Sequence, residues 1–134
     1  MKLLNNEKFY VGQEIFIESC PDFVDNAVVF EDNRETGYFY AIERMKSGKL
    51  KILDAVNIYD VNKVKDKEIL SEIKIFWSDN FERAALFIND YCHAIMDFKN
   101  KLGLCRTEFP HSSQTWQNGR KKLTDKDVEK FFNN

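Results

Sequence analysis

Proline and glycine are scarce, two and five residues in a chain of 134. That excludes a collagen-like repeat or a linker-rich low-complexity chain. The five glycines stand singly, so there is no glycine-rich loop to cradle a phosphate, and P-loop nucleotide chemistry is excluded with it. Cysteine is limited to Cys20, Cys92 and Cys105, an odd number without paired spacing, which fits reduced thiols and not a disulfide framework. No apolar run approaches the roughly 18 to 20 residues needed to cross a bilayer. After Leu3 and Leu4 the chain turns polar at Asn5, Asn6, Glu7 and Lys8, so the apolar core of a signal peptide is missing and a cytoplasmic location is expected. An excess of either charge is missing too. Twenty basic and 22 acidic residues leave a net charge of −2 with the signs interleaved, which argues against nucleic acid as a partner. The basic cluster Arg120 to Lys122 is followed by Asp125, Asp127 and Glu129 and reads as a solvated face.

What the chain does hold is greasy and aromatic. It is 43% hydrophobic and 14% aromatic with twelve Phe, so it can bury one core, and the aromatics lean it toward sheet. Phe9 to Ser19 alternates, with Phe9, Val11, Ile15 and Ile17 on one side, and predicts a strand. Ala27 to Phe30 predicts a buried strand. Asp32 to Gly37 predicts a turn, and Tyr38 to Glu43 a return strand with Phe39 and Ala41 on the side opposite Tyr38, Tyr40 and Ile42. Leu50 to Tyr59 predicts another strand, and Asp60 to Ser71 a lysine-rich loop.

Between Glu72 and Phe98 the rhythm is clearest. Ile73, Ile75 and Trp77 predict a strand, Ser78 to Asn80 a turn, and Arg83 to Ile88 with Cys92 to Phe98 a hairpin. An unbroken period of two puts Ala85 and Phe87 with Cys92, Ala94, Met96 and Phe98 on a core side. Leu86 and Ile88 then fall with His93, Ile95 and Asp97 on the other. Leu102 to Pro110 predicts an extended connection, and Ser112 to Lys121 a loop except at Trp116. The end is a helix capped by Thr124, with Asp127 completing a capping box and Leu123 stapled onto Val128. Too short to stand alone, it must dock through Phe131 and Phe132. The expected architecture is one domain over 1–134, α+β and mainly β: an antiparallel meander sheet or partly closed barrel with a short C-terminal helix packed on it.

Five residues form the candidate ligand or partner site: Asp54, Trp77, His93, Asp97 and Arg106. His93 and Asp97 share a face on the expected strand but stand about 13 Å apart, too far for a hydrogen-bonded dyad. A histidine near neutral pKa on an apolar face could bind or shuttle a proton. The structural reading is preferred, with His93 bonding a nearby carbonyl and Asp97 pairing with Arg106 or capping a turn. A zinc site from Cys92, His93, Cys105 and His111 lacks a paired cysteine knuckle, so no metal and no cofactor are expected. Cys92 reads as a small core residue beside Ala94 and Met96, and the acidic turn from Glu31 to Glu35 lacks the ligand ladder of a calcium loop.

Scattered blocks add a likeness. Val29 to Asn33, Thr36 to Tyr40, Ile52 to Ala55, Ile58 and Tyr59, Trp77 and Ser78, Ile88 and Asn89, His93 and Ala94, Asp97 and Phe98, and Cys105 to Thr107 with Phe109 and Pro110 are shared. In these the chain resembles the bacterial domain-of-unknown-function family 2251 from about Val29 to Trp116. The hairpin tip departs from that family's pattern, which carries Gly near Asp90 and Pro near Cys92. The resemblance implies a bacterial source and a small β-rich domain, and it implies no activity.

Without a complete catalytic constellation, the expected function is a non-enzymatic protein-binding module, a regulatory or immunity-type partner of another protein. Tyr38, Tyr59, Tyr91 and Trp116, beside turns, are its candidate anchors. The alternative is a small-ligand binder or enzyme in which Asp54, His93, Asp97 and Arg106 converge on one cleft.

Overall fold

The alternating segments build two sheets packed face to face. The computed structural model describes residues 1–107, 116 and 120–133. Four consecutive strands form a meander, β2 (Ile15–Ser19), β3 (Asn26–Asp32), β4 (Thr36–Arg44) and β5 (Leu50–Asp60), antiparallel and paired in chain order. The second sheet has the order β1-β6-β7-β8-β9-β10, from β1 (Lys2–Phe9), β6 (Ser71–Trp77), β7 (Arg83–Ile88), β8 (Tyr91–Asp97), β9 (Leu102–Cys105) and β10 (Arg120–Lys122). Its neighbours are antiparallel except β9 and β10, which run parallel. Among the described residues there is one α-helix, α1 (Asp125–Asn133), besides a 3-10 turn at Val61–Lys63. The fold is therefore mainly β with one short C-terminal helix, and the two sheets form a sandwich and not a closed barrel.

The inner faces follow from period two. Phe30 on β3, Phe39 on β4 and Val56 on β5 meet Ile75 and Trp77 on β6 and Leu86 on β7, all fully buried between the sheets. Burying a side chain of that size stabilises the fold by about 1.5–3 kcal/mol. The indole N–H of Trp77 donates to Ser19 Oγ at 2.9 Å, which satisfies a buried donor and ties β6 to β2 across the core.

The six-stranded sheet is apolar on its outer face as well. Ala85, Phe87, Cys92, Ile95 and Leu104 form a second core there, closed by Leu123 and by Phe131 of α1, each 1% exposed. The expected cap is in place. Asp127 N–H donates to Thr124 Oγ1 at 3.3 Å, while Thr124 N–H donates back to Asp127 Oδ2 at 2.9 Å.

Three expectations change. The strand expected over Phe9–Ser19 is broken by a turn in which Gly12 has φ +90°, a conformation that suits glycine. Phe9 ends β1 and Ile15 begins β2, yet Phe9, Val11, Ile15 and Ile17 still contribute to the same core. The Ser112–Lys121 loop gives way at its end to β10, whose register against β9 starts at Arg120 and Gly103. Most of the remainder of that loop lies outside the described residues, although Trp116 is buried.

The third change concerns the facing of β8. Leu86 pairs with Ala94 and Phe87 with Cys92, so His93 is an extra residue, a β-bulge opposite β7. Cys92 stays with Phe87 on the helix side as expected. Beyond the bulge the facing reverses: Ala94 and Met96 join Leu86 between the sheets, and Ile95 goes to the helix side. Cys92 is a small buried core residue as expected, but its side chain joins the helix-side core while those of Ala94 and Met96 join the other, and its thiol donates to the Ala94 carbonyl at 3.7 Å.

Candidate functional site

The five expected residues do not gather in one place. Asp54 is 2% exposed on the inner face of β5, pressed against β9, where a Cβ on Gly103 would stand 2.5 Å from its Oδ2. Trp77 is core, stacked on Phe98 at 5.8 Å between centroids. Asp97 caps the turn after β8, accepting from the N–H of Asn100 at 3.0 Å and from its Nδ2 at 2.8 Å. Its expected alternative partner, Arg106, instead pairs with Asp125 at 3.0 Å and donates from Nε to the Cys92 carbonyl at 3.0 Å. The structure does bring His93 and Arg106 together. The Arg106 guanidinium lies 4.6 Å from the Tyr91 ring centre, and Tyr91 meets the His93 ring edge-on at 5.0 Å. Cys92 and Cys105 belong to cores on opposite faces of the sheet, and His111 lies outside the described residues.

His93 lines a cleft of about 410 Å³ at one end of the sandwich. Its walls come from separate segments: Val11 from the turn after β1, Tyr59 from β5, Val64 and Ile69 from the connection to β6, and Ile88 from the end of β7. Two polar locks hold those segments. Asp32, fully buried at the end of β3, accepts from Gly12 N–H at 2.7 Å, Arg34 N–H at 2.8 Å and the Tyr59 hydroxyl at 2.6 Å. Burial and the Asp32 carboxylate push the Tyr59 phenol well above its usual range.

Asn89 is the second lock. It accepts from Glu72 N–H at 2.9 Å and donates to Ser71 Oγ at 3.3 Å. Asn89 and Asp90 both have positive φ, 52° and 64°, as a two-residue hairpin turn of the primed type requires.

The bulge aims the imidazole. Among the described residues no hydrogen bond reaches the His93 ring, and the expected bond to a nearby carbonyl is not made. Burial and the Arg106 charge push its pKa down to about 4, so the ring is neutral at neutral pH with one donor and one acceptor nitrogen. Asp32 and Asn89 lay outside the expected site. In the sequence Asp32 reads as a turn former, and only its position next to the apolar run Ala27–Phe30 hints that its carboxylate is buried.

A second feature is a surface. The outer face of the β2–β5 sheet carries Ala27, Val29 and Ile42, buried beneath Cys20 and Tyr40, and no helix among the described residues packs on it. Around them Phe16 and Ile52 are 58% and 52% exposed, and Tyr38 stacks on Tyr40 at 5.7 Å. Of the other expected anchors, Tyr59 is bonded to Asp32 and Trp116 is buried, while Tyr91 is exposed beneath Arg106.

The model of the family described as "Uncharacterized protein conserved in bacteria (DUF2251)" matches residues 9–132. The chain belongs to this family. The match covers the DUF2251 chain from the last residue of β1 into α1, so the four-stranded sheet and strands β6 to β10 of the other sheet fall inside it. An uncharacterized protein of Haemophilus influenzae is 32% identical over 106 residues, 79% of this chain and 65% of that protein. This DUF2251 chain thus spans about 65% of the length of that relative. No solved structure matches it. Among the described residues no helix is long and apolar enough to cross a membrane.

Proposed function

We propose that this DUF2251 protein is a non-enzymatic protein-binding module, a regulatory or immunity-type partner that docks through the outer face of its β2–β5 sheet. The observation that carries the reading is the asymmetry of the sandwich. One apolar outer face is closed by α1, whereas the other presents Phe16, Ile52 and the Tyr38–Tyr40 pair. An exposed Phe16 and Ile52 beside half-buried tyrosines make the kind of aromatic and apolar patch that anchors a protein interface. At its margin Glu18 pairs with Arg44, while Glu31 accepts from the Tyr40 hydroxyl at 2.9 Å and keeps its charge. The partner it fits is a protein with its own apolar patch.

Four strands about 4.8 Å apart and about seven residues long give a plan area of about 350 Å². A standard interface takes about 800 Å² per partner. The partner must also reach the β2–β3 loop, where Phe23 is fully exposed. Three free cysteines, two of them buried, fit a cytoplasmic setting.

Photo-crosslinking in the source bacterium tests the proposal. A benzophenone side chain at position 16 or 52 is expected to give one discrete protein adduct, lost when Tyr38→Asp is added. The same probe at Lys126 on α1 is expected to give none. Adducts of equal yield from all three positions, or none from 16 and 52, would overturn it.

A further inference from the structure

We propose that the cleft beside His93 is a binding site for a small amphiphilic monocarboxylate, with its apolar body against Val11, Val64, Ile69 and Ile88 and its head group at the imidazole. This site is separate from the docking face and does not rest on it.

Three observations meet there. The cleft, about 410 Å³, is in the lower part of the size range of small-molecule sites, and Val11, Val64, Ile69 and Ile88 give it an aliphatic wall. On its wall is a half-buried imidazole that no described residue hydrogen-bonds and whose ring nitrogens are not sealed off, so they are open to a ligand. That imidazole sits on a β-bulge, a device that commonly re-aims one side chain beside a functional site. Its polar neighbours in the lining are engaged: the Tyr59 hydroxyl by Asp32, and Asn89 by Ser71 and Glu72. His93 is thus the group left to greet a ligand.

Charge selects the head group. Burial first, and the neighbouring Arg106 charge second, disfavour a positive charge at the His93 ring. Lys65 and Asp66 line the cleft with opposite charges, and the Asp32 carboxylate behind Tyr59 is held by three donors of its own, so the cation beside His93 is Arg106, tempered by its exposed partner Asp125. A carboxylate accepts from the imidazole N–H and lies in that field favourably. An ammonium would be repelled, and an alcohol would gain nothing from it. A phosphate, which wants several donors, would find a single ring N–H and no cluster of backbone amides.

The test uses the full chain with octanoate, octanol and octylamine, which share a tail and differ in the head. Binding is followed by calorimetry and by the ring proton resonances of the two histidines, assigned with His111→Asn. Octanoate is expected to move the His93 resonance and to bind at least tenfold more tightly than octanol or octylamine. His93→Phe is expected to weaken octanoate at least tenfold. Ile69→Asp, at a position 61% exposed and so compatible with folding, is expected to abolish binding. From hexanoate upward each added methylene should tighten binding about fourfold until the cleft is filled. An unmoved His93 resonance at millimolar octanoate, equal affinity for the three head groups, or unchanged binding by Ile69→Asp would overturn the proposal.

Discussion

Asp32 offers the sharpest test of how the cleft end is held. Its carboxylate is fully buried, with Oδ2 accepting two hydrogen bonds and Oδ1 one, from three different segments. Hydrogen bonds to a charged group contribute about 1.5–3 kcal/mol each, and a buried donor left unsatisfied costs about 1–3 kcal/mol. Asp32→Asn keeps the Oδ1 bond to Arg34 but sets an amide NH₂ against Gly12 N–H. The Tyr59 hydroxyl can rotate to accept, so one donor clash and the lost charge remain, about 3 kcal/mol in total. Asp32→Ala strands all three donors and should cost about 4–5 kcal/mol, whereas Tyr59→Phe removes one partner and should cost about 1–1.5 kcal/mol. Urea unfolding followed by far-ultraviolet circular dichroism reads these losses. With a slope of about 1–3 kcal/mol per molar, Asp32→Asn should lower the midpoint by about 1–3 M. The bond also sets a pH dependence. Because the Tyr59 pKa is raised by folding, its contribution is intact below about pH 10, the unfolded value, and is lost as pH climbs toward the folded one. An Asp32→Asn protein within about 0.5 kcal/mol of wild type would refute the reasoning, since that is the spread of ordinary surface substitutions.

His93 works in the opposite sense. Its folded pKa, about 4, lies below the unfolded value of about 6.5, so the stability it contributes is present above pH 6.5 and fades as pH falls to 4. The loss is at most about 3 kcal/mol and should disappear in His93→Asn; an imidazole midpoint near 6.5 by proton NMR would contradict it. Gly103→Ala should cost about 1–3 kcal/mol in thermal unfolding, because its Cβ would meet the buried Asp54 at 2.5 Å; a neutral result would mean that Asp54 moves freely. Phe131→Ala should cost about 3–5 kcal/mol and Thr124→Ala about 1 kcal/mol, both read by urea unfolding. Equal losses would show that the cap, and not the docking, holds α1.

Where side chains alternate between dry and wet, period two could be read directly. Phe39 and Ala41 fall on one side of their strand and Tyr40 and Ile42 on the other, as expected, and Thr124 and Asp127 mark the helix start. β1 was illegible because Asn5, Asn6, Glu7 and Lys8 give no apolar rhythm; it is an edge strand held by its ladder to β6. β10 has three residues and exists through its pairing with β9. The bulge at His93 is one residue in an otherwise regular run, so a count of two carried the facing through it and reversed everything downstream. The expected site was assembled from residue types, and types do not say which strand ends meet. Asp97 found its partner three residues away in Asn100, while His93 and Arg106 met through the ring of Tyr91, which its sequence setting marks as an interface anchor and not as part of their site.

The ladder between β1 and β6 constrains the order of assembly. Lys2 faces Trp77 and Phe9 faces Ser71, while β2 to β5 pair only with their chain neighbours. As the chain leaves the ribosome, the four-stranded meander can zip up at once, but β1 must wait unpaired until the mates that complete it have been synthesised. A waiting strand rich in asparagine and lysine is poorly suited to sticking to itself or to other nascent chains. The polarity that hid β1 from a pattern search is what makes that delay safe.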